Sequence, residues 1–317
     1  MRDVFNDAIN APTGRLAEIL LRKVPEASLE PHGPLLARLD RLVDTPGKAG
    51  LLGRARLAAD VAFLFARVPE WTKTKLLPQF DWSSPDAADL WSARKYSSVI
   101  GSPELFGLTK KAFLELFGRN TQAEDIDTFA EWLVVILLVN QADGAVYDLT
   151  PTEARAALRR AGAKVLSSVG HRLATELESA KTEERADLWR AVIGPVFQAI
   201  WPLDIELQTS ASTFKLVQLL CATEEAFPEA VEVVLPFVRS DDPRSLTTIY
   251  SLAEAPESLY KAAPEKVLSL IAAVVGEASP SSVYGLGKAL SRLRSIDPTL
   301  AGSRRFQKLL NSASQPE

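Results

Sequence analysis

Gly285-Leu286-Gly287-Lys288 has the residue types of a phosphate-binding loop. A working loop of that kind needs a glycine five residues before Gly287, and Ser282 stands there. It needs Ser or Thr after Lys288, where Ala289 follows, and an apolar strand ahead, where only Ser279-Pro280-Ser281-Ser282 is found. Without a strand–loop–helix setting the backbone N–H groups cannot converge on a phosphate. The stretch is expected instead to be a helix packed closely on a neighbour through its two glycines.

Nucleophilic or metal chemistry has three other carriers, His32, His171 and Cys221. His32 falls in the turn-like Pro31-His32-Gly33-Pro34. His171 stands among Val169, Leu173 and Leu177 at helical spacing, and Cys221 follows Leu219-Leu220. None has a nucleophile motif around it, and Cys221 fits a small buried residue. One Cys and two His in 317 residues exclude a disulfide framework and a Cys/His zinc site within the chain. No cofactor or metal is expected. Carboxylates pair at Asp125/Asp127, Glu183/Glu184 and Asp241/Asp242, the last two pairs near helix ends, where capping and the helix dipole account for them.

Aromatic side chains offer binding rather than reaction. Trp71, Phe80, Trp82 and Trp91 crowd a short stretch followed by Arg94-Lys95-Tyr96. Tryptophan is costly to expose and anchors either packing or an interface. The cluster is therefore core, or else a groove to which the basic residues lend positive charge. Trp82, Trp91 and Arg94 are the candidate binding residues here.

The elements that must carry these residues are helices. Apolar positions recur at helical spacing at Leu51, Leu52, Ala55, Ala58, Ala59, Ala62 and Phe65, with Arg54, Asp60 and Arg67 off the centre of the stripe. Similar patterns run through the chain to Arg304–Leu310. Pro-Glu pairs at Pro25, Pro69, Pro103, Pro228, Pro256 and Pro264 mark helix starts, because proline needs no N–H partner there and the carboxylate meets the positive end of the dipole. Thr150-Pro151-Thr152-Glu153 is a capping box. The expected fold is all-α, an irregular HEAT- or TPR-like stack of roughly sixteen helices. The one alternating segment, Leu203 to Gln208, is expected to be an extended linker packing its apolar residues on a neighbour. Pro228-Glu229-Ala230-Val231 and Pro264-Glu265-Lys266-Val267 stand 36 residues apart, the period of one helical-hairpin repeat. Breaks are expected around Leu138–Thr150 and Trp201–Ser212. The softer domain boundary is set near residue 202, dividing an N-terminal helical region (1–202) from a C-terminal helical-repeat region (203–317).

Composition bounds the partners. With 47% hydrophobic and 24% charged residues the chain is a folded one, and its net charge is −4. Neither half has the basic excess of a phosphate-backbone footprint, so nucleic acid is not the expected partner. The longest apolar run, Trp132 to Val139, is far short of the ~20 residues that cross a bilayer and fits the middle of a buried helix. The first residues lack the apolar core of a signal peptide. The expected setting is the cytoplasm, away from membranes.

Several phrases carry a resemblance. Ala8-Ile9-Asn10-Ala11-Pro12-Thr13-Gly14-Arg15-Leu16-Ala17-Glu18 opens the chain. Leu76-Leu77-Pro78-Gln79-Phe80-Asp81-Trp82 and Ala87-Ala88-Asp89-Leu90-Trp91 come later, with Ala226-Phe227-Pro228-Glu229-Ala230 and Ile296-Asp297-Pro298 near the end. Together they resemble the helical C-terminal region of large bacterial sirtuin-like antiphage defence proteins, whose N-terminal part hydrolyses NAD. The resemblance spans most of the chain but rests on structural phrases and no catalytic signature. It implies a fragment or stand-alone relative of the sensing and regulatory module, with an upstream enzymatic domain or a phage protein as partner. Arg15 is a further candidate binding residue.

The resulting expectation is a non-enzymatic helical recognition module that binds protein. Two alternatives stay open: an enzyme of unfamiliar type using Asp, Glu and Arg groups in an interhelical pocket, and a nucleic-acid-binding helical repeat.

Overall fold

The computed structural model describes residues 3–24, 33–97, 100–119, 123–240, 247–276 and 285–313. His32, the Pro25-Glu26 pair and Asp241/Asp242 lie outside them. All regular structure among the described residues is helical. The chain forms two compact units, Met1–Trp132 with Val146–Leu149, and Leu133–Ala145 with Thr150–Glu317.

The first unit contains α1 (Val4–Asn10), α2 (Pro12–Lys23), α3 (Pro34–Asp44), α4 (Gly47–Ala59), α5 (Val61–Arg67), α6 (Pro69–Trp71), α7 (Ala87–Arg94) and α8 (Pro103–Leu116), with the first part of α9 (Ala123–Asp143). Helix α4 is its axis, packed against α1, α2, α3 and α7. Small residues permit this crowding: a Cβ on Gly53 would lie 2.6 Å from Leu42 Cδ1 of α3. The apolar stripe from Leu51 to Phe65, expected as one helix face, is broken, because Asp60 leaves helical geometry between α4 and α5. Arg54, expected off the centre of the apolar stripe, is buried. Its guanidinium donates to Val43 O at 2.6 Å, to Thr45 O at 2.8 Å and to the Asp86 carboxylate. Periodicity could not place it, since its burial depends on acceptors contributed from other segments.

The second unit contains the rest of α9, then α10 (Pro151–Ala161), α11 (Leu166–Ser179), α12 (Thr182–Leu188), α13 (Gly194–Ile200), α14 (Ser210–Cys221), α15 (Phe227–Val234), α16 (Thr247–Glu254), α17 (Glu257–Ala262), α18 (Pro264–Val275), α19 (Leu286–Ile296) and α20 (Arg304–Ala313). Non-consecutive helices pair here: α10 with α13, α11 with α14, α14 with α16, α16 with α19, and α18 with α20. These segments outnumber the roughly sixteen helices expected because several stripes are cut by short 3₁₀ or π turns.

Two of those interruptions share a cause. The π turns Thr72–Leu76 and Trp189–Ile193 each end two residues before a proline, Pro78 and Pro195. Leu77 N–H reaches Thr72 O, and Gly194 N–H reaches Trp189 O, five residues back in each case. A proline has no N–H and crowds the carbonyl four residues earlier, and the wider turn accommodates it.

Helix punctuation holds where it is described. Pro69, Pro103 and Pro264 open α6, α8 and α18; Pro228 is the second residue of α15, and Pro256 precedes α17. Both halves of the Thr150/Glu153 capping box are made. The run from Trp132 to Val139 lies within α9, with Leu133, Val134, Ile136 and Leu137 buried. No described helix is long and apolar enough to cross a membrane.

Residue 202 lies inside the second unit; the units divide after Trp132, ahead of the break expected at Leu138–Thr150, and again at either end of Val146–Leu149 within it. Trp201 is fully buried, stacked on Phe197 at 5.0 Å, and donates from Nε1 to the buried Gln208 at 2.9 Å. Gln208 in turn donates to Pro202 O at 2.9 Å. That bracing makes Leu203–Gln208 a tight 3₁₀-containing turn rather than an extended linker, and it leaves Leu203 65% and Ile205 70% exposed. The expected packing of these two on a neighbour is not found.

Candidate functional site

The structure separates the candidate residues named from sequence. Trp91 is buried in the first unit's core, meeting Phe80 at 5.2 Å and Phe129 at 5.6 Å edge-to-face, with its Nε1 donating to Phe80 O at 3.1 Å. Trp71 is buried too and donates to Asp40 at 2.8 Å. Trp82 is half-buried; it donates to Ala112 O at 2.8 Å and carries Arg119 over its ring at 4.2 Å. Arg15 is exposed on α2. The aromatic cluster is thus mainly core.

Arg94 is buried as well. Its guanidinium lies 4.7 Å from the Trp132 ring and donates to Ile100 O at 2.7 Å. Burial pulls it down to about 10, against the opposing pull of Asp60, so it stays a cation at neutral pH. Lys95 is held by Asp125 at 2.5 Å. The positive charge that Arg94 and Lys95 could lend a groove is therefore spent inside the fold. The same ion pair accounts for Asp125 of the Asp125/Asp127 pair, and Glu183 and Glu184 occupy the first turn of α12.

A different surface is concave. A cleft of about 820 Å³ opens in the first unit between α1, the α4–α5 junction, the segment after α7 and the start of α8. Phe5 and Tyr96 form one wall, their rings stacked at 4.5 Å. Arg56 and Asp60 pair with each other beside them, and the Arg56 guanidinium sits 5.9 Å from the Phe5 ring. Phe63 of α5 lies 37% exposed on the opposite side with Ala62 and Ala66. At the α8 edge Ser102 caps the helix, accepting from Leu105 N at 3.2 Å, and Tyr147 donates to Gly101 O at 3.0 Å. Gly101 has φ +105, and a Cβ there would meet Leu105 Cδ2 at 2.7 Å, so the rim needs glycine.

Asp3, two residues before Phe5, and the wall residue Tyr96 are both shifted away from neutrality. Burial pushes the Asp3 carboxyl up, but hydrogen bonds from the Tyr96 hydroxyl and from the Asn6 and Phe5 N–H groups outweigh it and hold Asp3 below its usual range. The same Tyr96–Asp3 hydrogen bond, helped by burial, raises the Tyr96 phenol. A lowered carboxyl and a raised phenol are both poorly matched to proton transfer near neutrality. Among the described residues no group of three or more His, Cys, Asp or Glu could hold a metal. This arrangement presents rings, small apolar residues and the Arg56–Asp60 ion pair.

The remaining chemical candidates are explained by packing. His171 is exposed on α11 while Val169, Leu173 and Leu177 turn inward. Cys221, expected to be buried, is half-buried; loss of hydration, with Glu178 and Glu224 adding to it, raises its thiol to about 12. Gly285 starts α19 at φ +82 with a would-be Cβ 3.4 Å from Tyr250 Cα, whereas Gly287 faces open space. A Cβ at Gly285 would make only an ordinary contact, so the expected close packing through the two glycines is not found; positive φ is what favours glycine at 285.

Phe5, Arg56, Phe63 and Tyr96 escaped the sequence reading, although Tyr96 closed the Arg94-Lys95-Tyr96 motif. Phe63 and Phe65 sit in one apolar stretch, and which of them turns outward depends on the break at Asp60.

No protein-family model matches the chain. A protein of Sinorhizobium fredii described as "Uncharacterized protein y4cA" is 26% identical over 315 residues, which cover 97% of this chain and 26% of that protein. The chain thus spans about a quarter of the length of the curated relative it matches. No solved structure matches.

Proposed function

We propose that this chain is a non-enzymatic α-helical recognition and regulatory module that holds a segment of a protein partner in the cleft of its first unit. The observation that carries the reading is the cleft itself. Its aromatic surface, the exposed Tyr96 and Phe63 with the half-buried Phe5, borders charges that already have partners, Arg56 with Asp60 and Glu104 with Lys73, so an apolar segment enters without stranding an ion.

A stacked helical repeat in the second unit is part of the proposal. Helix α18 packs on α15, and Lys266 donates to Pro228 O at 2.6 Å, so the two Pro-Glu helices 36 residues apart are neighbours in space as a repeat requires. A relative about four times as long fits a module that works beside other domains, and the resemblance to antiphage defence proteins makes an enzymatic domain or a phage protein the proposed partner.

Site-directed photocrosslinking tests this. A benzophenone amino acid at Phe63 in the full-length protein, expressed in bacteria with and without phage, is expected to give a discrete protein adduct that Tyr96→Ala weakens. The same adduct from the exposed control position Tyr250, or none from Phe63, would overturn the proposal.

A further inference from the structure

The last two described helices invert the charge of the chain. Residues 286–313 contain six Lys or Arg and one acid, Asp297, in a protein whose net charge is −4. Lys288 pairs with Glu254, and Arg292 donates to Ala253 O and Ala255 O from above the Tyr260 ring. Arg294, Arg304, Arg305 and Lys308 are exposed.

Three of these border a groove of about 640 Å³ in the second unit, between the C-terminal half of α18 and α20. Ala272, Ala273 and Gly276 line it from the end of α18, and Arg304, Arg305, Lys308 and Ser312 line it from α20. Arg305 is steadied by Ser269 Oγ at 2.7 Å. No carboxylate is among the groove's described lining residues. Phe306 and Leu309 bury the inner face of α20, so the cations are presented on a helix anchored from behind.

We propose that this groove is a second docking site, separate from the aromatic cleft, and that its occupant is an acidic protein segment with an apolar face. Charge complementarity supplies the argument: an apolar lining needs an apolar side chain to cover it, and a cationic rim favours carboxylates at the segment's edges. Nucleic acid suits the site less well. Three rim cations give a small phosphate footprint, and none of the described lining residues is aromatic to stack a base. Rim charges act through solvent, so binding should weaken as salt shortens their range.

Selection of displayed random peptides on the full chain tests this, with counter-selection on the double variant Arg304→Glu/Arg305→Glu. The surviving peptides are expected to be rich in Asp and Glu around apolar residues. They should bind the parent at least tenfold more tightly than the charge-reversed variant, while Arg304→Lys/Arg305→Lys retains most of the affinity. Circular dichroism of each variant guards against misfolding. Survivors without acidic enrichment, equal binding to the charge-reversed chain, or no surviving peptide would overturn the proposal. So would a labelled single-stranded DNA held more tightly than the selected peptides at the same salt. Phe63→Glu, in the aromatic cleft, should leave the peptide affinity unchanged, which separates this site from the first.

Discussion

Arg54 and Asp86, 32 residues apart in sequence, form a nearly buried ion pair that joins α4 to the residue preceding α7. The guanidinium also closes the end of α3 by donating to Val43 O and Thr45 O, so one side chain satisfies acceptors from two other segments. Removing it strands all of them. Arg54→Met is expected to lower the stability of the first unit by about 3 kcal/mol, and Asp86→Asn by about 2 kcal/mol. Arg22→Met, which breaks the exposed Arg22–Glu18 pair, should cost less than about 0.5 kcal/mol. Urea titrations followed by circular dichroism compare the three; equal effects would mean that Arg54 does not hold these segments.

The two tryptophans of the aromatic stretch should behave differently. Trp91→Ala empties a site enclosed by Phe80, Phe113 and Phe129 and is expected to cost about 4 kcal/mol. Trp82→Ala gives up one hydrogen bond and the Arg119 contact at a half-exposed site, about 1 kcal/mol. Thermal unfolding of both variants provides the measurement, and a larger loss for Trp82 would contradict the core assignment.

Cys221 should resist thiol reagents while the chain is folded. An unfolded cysteine ionises near pH ~8.5, whereas loss of hydration raises this thiol to about 12. Below the unfolded value both states keep the proton and stability is unaffected. Between the two values the unfolded chain loses it first, so the thiol's contribution falls as pH rises. Labelling by a chromogenic disulfide at pH 8 is expected to be slow in buffer and rapid in guanidinium; fast labelling of the native chain would show the thiol to be accessible.

Two glycines in helices should respond in opposite senses to alanine. Helix propensity alone favours alanine by about 1 kcal/mol at each. At Gly287 the new methyl meets nothing within 4 Å, and Gly287→Ala should raise the melting temperature. At Gly14 an ideal Cβ would stand 1.8 Å from Ala8 O, so the α1–α2 corner must open. Gly14→Ala is expected to destabilise by about 2 kcal/mol. A stabilised Gly14→Ala variant would refute that close approach.

Much of the secondary structure was legible because its determinants are local. Proline at a helix start, the Thr150/Glu153 box and the 3.6-residue spacing of apolar side chains act within a few residues, and the described helices respect them. The break at Asp60 and the π turns ahead of Pro78 and Pro195 were harder to foresee, since a stripe continues through them unchanged. The aromatic cleft was not legible: Phe5, Phe63 and Tyr96 are separated by long stretches of chain and meet through the packing of α1 and α5 with the residues after α7.

The sequence by itself determined that this protein is helical, where most of its helices start, and that Trp132–Val139 is interior, because capping, periodicity and apolar run length are short-range properties. Only the tertiary structure decided which ring turns outward and which charge is spent. Arg54 and Arg94 look like surface cations in one dimension, yet each is buried against carbonyls supplied from elsewhere in the chain. Burial of a charge is decided by partners, and partners are brought together by the fold.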